Sequence, residues 1–152
     1  MPQAPPTQPR NNNPNSPAPL GYTVAVRGQF CAANCLSGYQ FKGLPDDLHG
    51  HTFTVEMVCW QPSTVPLDNK YRTMKLSQLR DTLNAHLLAF DHQVIHTLPQ
   101  FANQPTSVEL MARTLFGTLH TALPSLVSLT VWDKPDQAIR VTRPIDFTPN
   151  PV

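Results

Sequence analysis

An α+β domain, with two helices laid on one face of an antiparallel sheet in the order ββααββ, is the fold this sequence predicts. Three observations carry it. Apolar and polar residues alternate through positions 22–34 and again through 49–60, the period of half-buried strands. The period then lengthens to that of a helix in two successive segments, from Lys75 to Phe90 and from Thr106 to Leu119. Two short alternating stretches, Val127 to Asp133 and Ile139 to Val141, close the domain. Strands, then helices, then strands is the order of a sheet whose helices share one face, not of a parallel α/β fold.

The first strand places Tyr22, Val24, Val26, Gly28, Phe30, Ala32 and Asn34 on one face, with Thr23, Arg27 and Gln29 on the other. Leu36 to Asp47, with Gly38, Gly43 and Pro45, is expected to be a loop. The second strand aligns His49, His51, Phe53, Val55, Met57 and Cys59. Pro62 and Pro66 break the pattern. In the first helix Leu76, Leu79, Leu83, Leu87 and Phe90 form the apolar stripe, ending close to Asp91-His92. Residues 97–105 read as a second loop. The second helix opens at Thr106, which can cap it with Glu109 reaching back as a capping box. Its stripe is Val108, Met111, Ala112, Leu115 and Leu119. The third strand ends with Asp133 on the buried face, Lys134-Pro135-Asp136-Gln137 turns the chain, and Ile139 and Val141 mark the last strand. An open sheet of this kind has edges to cover. Closing several copies into a barrel would cover them and set active sites between subunits.

Composition narrows the function. The 152 residues suit one domain, 20–146, flanked by a tail at 1–19 and a short one at 147–152. The first tail holds seven of the 17 prolines and an Asn11-Asn12-Asn13 run, too little apolar surface to offset its ordering entropy. A net charge of +1 with scattered Lys and Arg argues against nucleic acid as a partner. No apolar run is long enough for a membrane span, and no signal peptide is legible. A cytoplasmic location is the expectation. Three cysteines, Cys31, Cys35 and Cys59, form no disulfide framework and are expected as free thiols.

The chemistry-bearing motif is His49-Gly50-His51: two imidazoles on one strand face, able to grip one ion or one substrate oxygen, with a glycine between them that lets a ligand near the backbone. Asp91-His92 sets a carboxylate beside an imidazole, a pair that can tune a general base near neutral pH or simply end a helix.

Phe30-Cys31-Ala32-Ala33, Leu48-His49-Gly50-His51, Asp91-His92 and Pro105-Thr106-Ser107-Val108-Glu109, in this order of elements, resemble the 6-pyruvoyl-tetrahydropterin synthase and 6-carboxytetrahydropterin synthase family over residues 22 to about 143. The resemblance implies a tunnelling fold (T-fold) assembled as a multi-subunit barrel, a trimer or hexamer of identical chains. It also implies a zinc-dependent lyase acting on dihydroneopterin triphosphate. By the same resemblance His49 and His51 match zinc ligands and Asp91 and His92 match a proton-relay pair. Asp133 takes the place of the carboxylate that anchors the pterin ring, unless it only starts the following turn. Thr106 and Glu109 match the Pro-Thr-x-Glu motif, lengthened here by one residue, so Glu109 is either a substrate contact or the capping-box acid.

The departures are specific. The third zinc histidine is replaced by Asn34, an amide and a poor zinc ligand, so zinc affinity is expected to fall. No cysteine stands between Leu36 and Leu48, where the family's catalytic one belongs. Asp46 or Asp47, or Cys35 beside Asn34, are the stand-ins the sequence offers. Lys75 occupies a position where the family has aspartate. Taken together these imply a diverged enzyme using proton transfer for elimination, side-chain cleavage or isomerisation of a pterin or related heterobicyclic substrate. The alternative is a non-catalytic oligomer that binds a pterin or purine.

Overall fold

The structure is a computed structural model that describes residues 20–35, 40–41, 44–45, 47–102 and 104–144. The expected tails and Asp46 lie outside the described residues. Its frame is the pairing of β1 (Gly21–Asn34) with β4 (His49–Pro62), unbroken from Gly21 opposite Pro62 to Asn34 opposite His49. Alternation then sorts the two faces. Phe30, Ala32, Phe53, Val55, Met57 and Cys59 are buried together under the helices. On the polar face Arg27 Nε donates to Glu56 Oε2 at 2.7 Å and Gln29 Nε2 donates to Thr54 Oγ1 at 3.0 Å. β5 (Leu126–Lys134) pairs with β4 and β6 (Gln137–Thr142) with β5, both antiparallel, so the sheet order is β1-β4-β5-β6. Inside the segment expected as a loop, β2 (Gln40–Phe41) and β3 (Leu44–Pro45) pair as a small separate hairpin. Two-residue strands are too short for any periodicity to announce them.

Helix α1 (Leu76–Leu87) buries Leu79, Leu83 and Leu87. Leu76 departs from the expected stripe: as the first helical residue it is 59 % exposed. Phe90 lies beyond the helix, in the turn, and is buried. The helix crosses β1 at Gly28, where an added Cβ would stand 2.6 Å from Asn84 Oδ1 and 2.9 Å from Leu87 Cδ1. Glycine there is what allows the close approach of helix to strand.

Two 3₁₀ turns, Ile95–Thr97 leading into the expected second loop and Pro99–Phe101 within it, are anchored by the fully buried Ile95 and Phe101. Phe101, Phe90, Phe30 and Phe53 form a ladder of rings with successive centroids 6.1, 5.7 and 4.9 Å apart. Helix α2 (Val108–Ala122) buries Met111, Ala112, Leu115 and Leu119 as its stripe requires. Its cap, however, is Ser107, whose Oγ accepts from the Leu110 N–H at 3.2 Å. Thr106 is only 1 % exposed and sits before the cap. The helix therefore starts one residue later than the capping box demands, Leu110 occupies the third helical position, and Glu109 is exposed in the first turn.

Ser107→Ala is expected to cost about 1 kcal/mol of stability. Glu109→Ala should change it by no more than about 0.5 kcal/mol. Urea unfolding of the two variants checks this, and a larger loss from Glu109→Ala would restore the capping box.

Candidate functional site

The site begins as a problem of hydrogen bonding at a strand edge. On β1 the N–H and C=O groups of alternate residues point away from β4 and need partners. At the end of β1 the segment after α1 supplies them. The Cys31 N–H donates to Asp91 Oδ1 at 2.9 Å and the His92 N–H donates to the Cys31 carbonyl at 2.6 Å. The Ala33 N–H donates to the Gln93 carbonyl at 2.9 Å, and Ala33 bridges Val94 in parallel.

Asp91 thus seals the strand edge with one oxygen. With the other it accepts from His92 Nδ1 at 2.9 Å. Donation from Nδ1 leaves Nε2 of the neutral ring with the lone pair, on a side chain 81 % exposed. His92 adopts φ of 57°, in the left-handed region where a non-glycine residue is uncommon and costs backbone energy. The backbone N–H of Cys31, and then His92, hold the Asp91 carboxyl below its ordinary value against the opposing effect of desolvation.

An open cleft of about 470 Å³ lies against this edge, lined among others by Cys31, Gly50, His51, Thr52, His92 and Val94. No described atom outside the adjoining residues comes within 4 Å of where a Cβ on Gly50 would stand. The floor at Gly50 is therefore open to a ligand. His51 and His49 bring their rings to 4.5 Å between centroids, edge to face. His49 Nδ1 lies 2.6 Å from the Asp47 carbonyl oxygen. Because a carbonyl only accepts, Nδ1 carries the proton. Asp47 itself is exposed, and it meets His49 through its backbone, not its carboxylate.

Asn34, opposite His49 in the sheet, donates from Nδ2 to the Thr106 carbonyl at 2.7 Å. This amide ties the end of β1 to the entrance of α2. Asn34 Oδ1 and Thr106 Oγ1 are both buried without a partner among the described residues. Among the described residues no group of three His, Cys, Asp or Glu side chains is placed to hold a metal ion. Two imidazoles and an amide already engaged through its nitrogen do not fit zinc, which takes at least three strong nitrogen, sulfur or carboxylate donors.

Cys35 follows Asn34, and its Sγ lies 3.6 Å from His96 Nδ1. Asp133 departs from its expected place. A bulge between Trp132 and Lys134 interrupts the alternation, and Asp133 lines a depression on the polar face with Arg27, Gln29, Thr52 and Thr54. Within one chain His51 and Asp133 line different depressions, which share only Thr52 as a wall.

Reading the sequence missed the part played by Cys31, Thr52, Val94 and His96. Cys31 and Thr52 face each other across the β1–β4 pair, Sγ to Oγ1 at 3.5 Å, on a face that alternation marks only as polar. Val94 and His96 come to the site through the parallel bridge, for which the sequence carries no signal.

The class this fold defines is an α+β protein with two helices on a four-stranded antiparallel sheet. The sequence matches the 6-pyruvoyl tetrahydropterin synthase family over residues 23–144, and the chain belongs to that family. Solved structures of similar fold include the Caenorhabditis elegans 6-pyruvoyl tetrahydropterin synthase, with a TM-score of 0.68 at 17% identity over 84% of this chain and 99% of that one. The Plasmodium vivax enzyme gives a TM-score of 0.63 at 17% identity, covering 83% of this chain and 99% of that chain. An uncharacterised protein from Wolinella succinogenes gives 0.63 at 16% identity, covering 82% and 99%. None of the curated proteins compared matches the sequence. No described helix is long and apolar enough to cross a membrane. All three cysteines are free.

Because the carboxyl of Asp91 is lowered in the folded state, its contribution to stability is present above the ordinary carboxylate value and is lost as pH falls through the folded one. Asp91→Asn should therefore lower stability at pH 7 and flatten its fall in acid. Urea midpoints measured from pH 7 down to pH 2 check this, and parallel curves for wild type and variant would contradict it.

Proposed function

We propose that the chain is a diverged tetrahydropterin synthase-like enzyme that acts on a pterin or related heterobicyclic compound by moving protons, with elimination, side-chain cleavage or isomerisation as the outcome. Family membership supports the class of reaction. The observation that carries the finer reading is the Asp91–His92 pair. Its imidazole is fixed in one tautomer by a carboxylate that the sheet edge itself holds, and it stands at an open cleft shared with His51. His92 Nε2 takes a proton from the substrate, and Asp91 stabilises the imidazolium that results. His51, on the opposite strand, donates to or accepts from a substrate hydroxyl above Gly50, with His49 beside it.

No step is assigned to zinc, because the donors present do not fit it. The second proton-transfer group is Cys35 or Asp47. In the similar Plasmodium vivax enzyme a glutamate is a catalytic residue, which favours a carboxylate such as Asp47 over a thiol here. Asp133 anchors the ring edge by accepting hydrogen bonds, and Glu109 lies at the exposed first turn of α2 as a further contact.

Asp133 and His51 serve one ligand most simply when copies of the chain assemble, as a trimer or hexamer. The sheet supports this: β1 and β6 are its two edges, and among the described residues β1 is sealed by its own chain near Cys31 and Ala33 alone. The second reading is a pterin- or purine-binding protein without turnover, which would use the same cleft, open above Gly50 and lined by His51 and Thr52.

His92→Gln is expected to lower turnover of dihydroneopterin triphosphate, or of whichever pterin the wild type converts, by about 10²-fold or more. Binding of that pterin should survive. Product formation followed by chromatography, beside thermal unfolding with the same compound, separates the readings. Stabilisation of the wild type without product selects the binding protein, and neither effect with any pterin removes both. Zinc per chain, measured after purification without chelator or metal-affinity tag, should be well below one and rise in Asn34→His. A full zinc complement in the wild type would overturn the metal-free reading.

A further inference from the structure

The parallel bridge between Ala33 and Val94 has a continuation. Two residues further along each segment stand Cys35 and His96, with Sγ 3.6 Å from Nδ1, at a distance where sulfur and ring nitrogen share a proton. His96 is held by its setting. It is the middle residue of the 3₁₀ turn Ile95–Thr97, whose Ile95 is fully buried, and Thr97 Oγ1 donates to the Val94 carbonyl at 2.8 Å. Both residues are part-exposed, and the pair adjoins the cleft through Ala33 and Val94, which line it.

A nucleophile within hydrogen-bond reach of a base that is itself fixed in place is the arrangement that activates a thiol. We propose that Cys35 and His96 form a thiol–imidazole pair that makes Cys35 the reactive nucleophile of this chain toward electrophilic carbon at the edge of the cleft. The thiol proton passes to His96 Nδ1 as the sulfur–carbon bond forms. With a carbonyl compound the same proton then goes to the former carbonyl oxygen, so addition is balanced without any oxidant. With an alkyl halide the carbon–halogen bond breaks and halide leaves. In alkylation His96 acts only through the thiol, as its proton acceptor; in carbonyl addition it also returns that proton to the new oxygen. This inference does not depend on a pterin being the substrate.

The other two cysteines are controls inside the same molecule. Cys31 is exposed, with Thr52 Oγ1 as its side-chain neighbour, and Cys59 is buried, its thiol pushed up by desolvation. The full chain is treated with iodoacetamide at pH 7, and the labelling rate of each cysteine is read by peptide mass spectrometry. Cys35 is expected to label fastest despite being less exposed than Cys31. His96→Ala should slow Cys35 by about ten-fold or more and leave Cys31 unchanged, while continued protection of the buried Cys59 reports that the fold is retained. Free imidazole added to His96→Ala should restore the rate at Cys35 alone, an effect that loss of packing would not produce. Should His96→Ala fail to fold, the same readings are taken on His96→Gln. Labelling of Cys35 no faster than Cys31, or a rate at Cys35 indifferent to His96, overturns the proposal.

Discussion

The register of β1 against β4 is the constraint on which the molecule depends. With Asn34 opposite His49 and Ala32 opposite His51, every odd or even position along both strands is committed to one face. A slip of one residue would send Phe30, Phe53, Val55 and Met57 into solvent and bring Arg27 and Glu56 under the helices. The phenylalanine ladder that joins the sheet to the turns after α1 exists only in this register. The two histidines open β4 on the core face for the same reason, so the site inherits its placement from hydrophobic burial.

The edge of β1 links folding to chemistry. Its outward groups at Cys31 and Ala33 have to be paired, and the residues that pair them, Asp91 to Val94, include the carboxylate–imidazole couple of the candidate site. Asp91 closes the sheet and orients His92 with the same carboxylate. The left-handed backbone of His92 is the local cost of turning from the end of α1 onto that edge while both bonds of Asp91 are kept. Asn34 shows the reverse development. At a position where the family resemblance implies a metal-binding histidine, this chain has an amide that fastens β1 to the start of α2 through the Thr106 carbonyl.

The sequence by itself determined the order of elements, the faces of the strands and the stripes of both helices, because burial against a two-layer core imposes periods of two and 3.6 that residue types display openly. It also determined which residues differ from the family pattern: Asn34 is legible as an amide whatever it touches. The partnership of Asp91 with His92 was legible too, being a matter of adjacency. Tertiary structure alone decided the rest. Ser107, not Thr106, caps α2, while Thr106 is buried and its carbonyl is bonded to Asn34, far away in the chain. A bulge, which is an unpaired residue and leaves no mark in composition, moved Asp133 to the polar face. The parallel bridge that sets His96 beside Cys35 joins segments about sixty residues apart, and local pattern holds no record of which strand edge a turn will close.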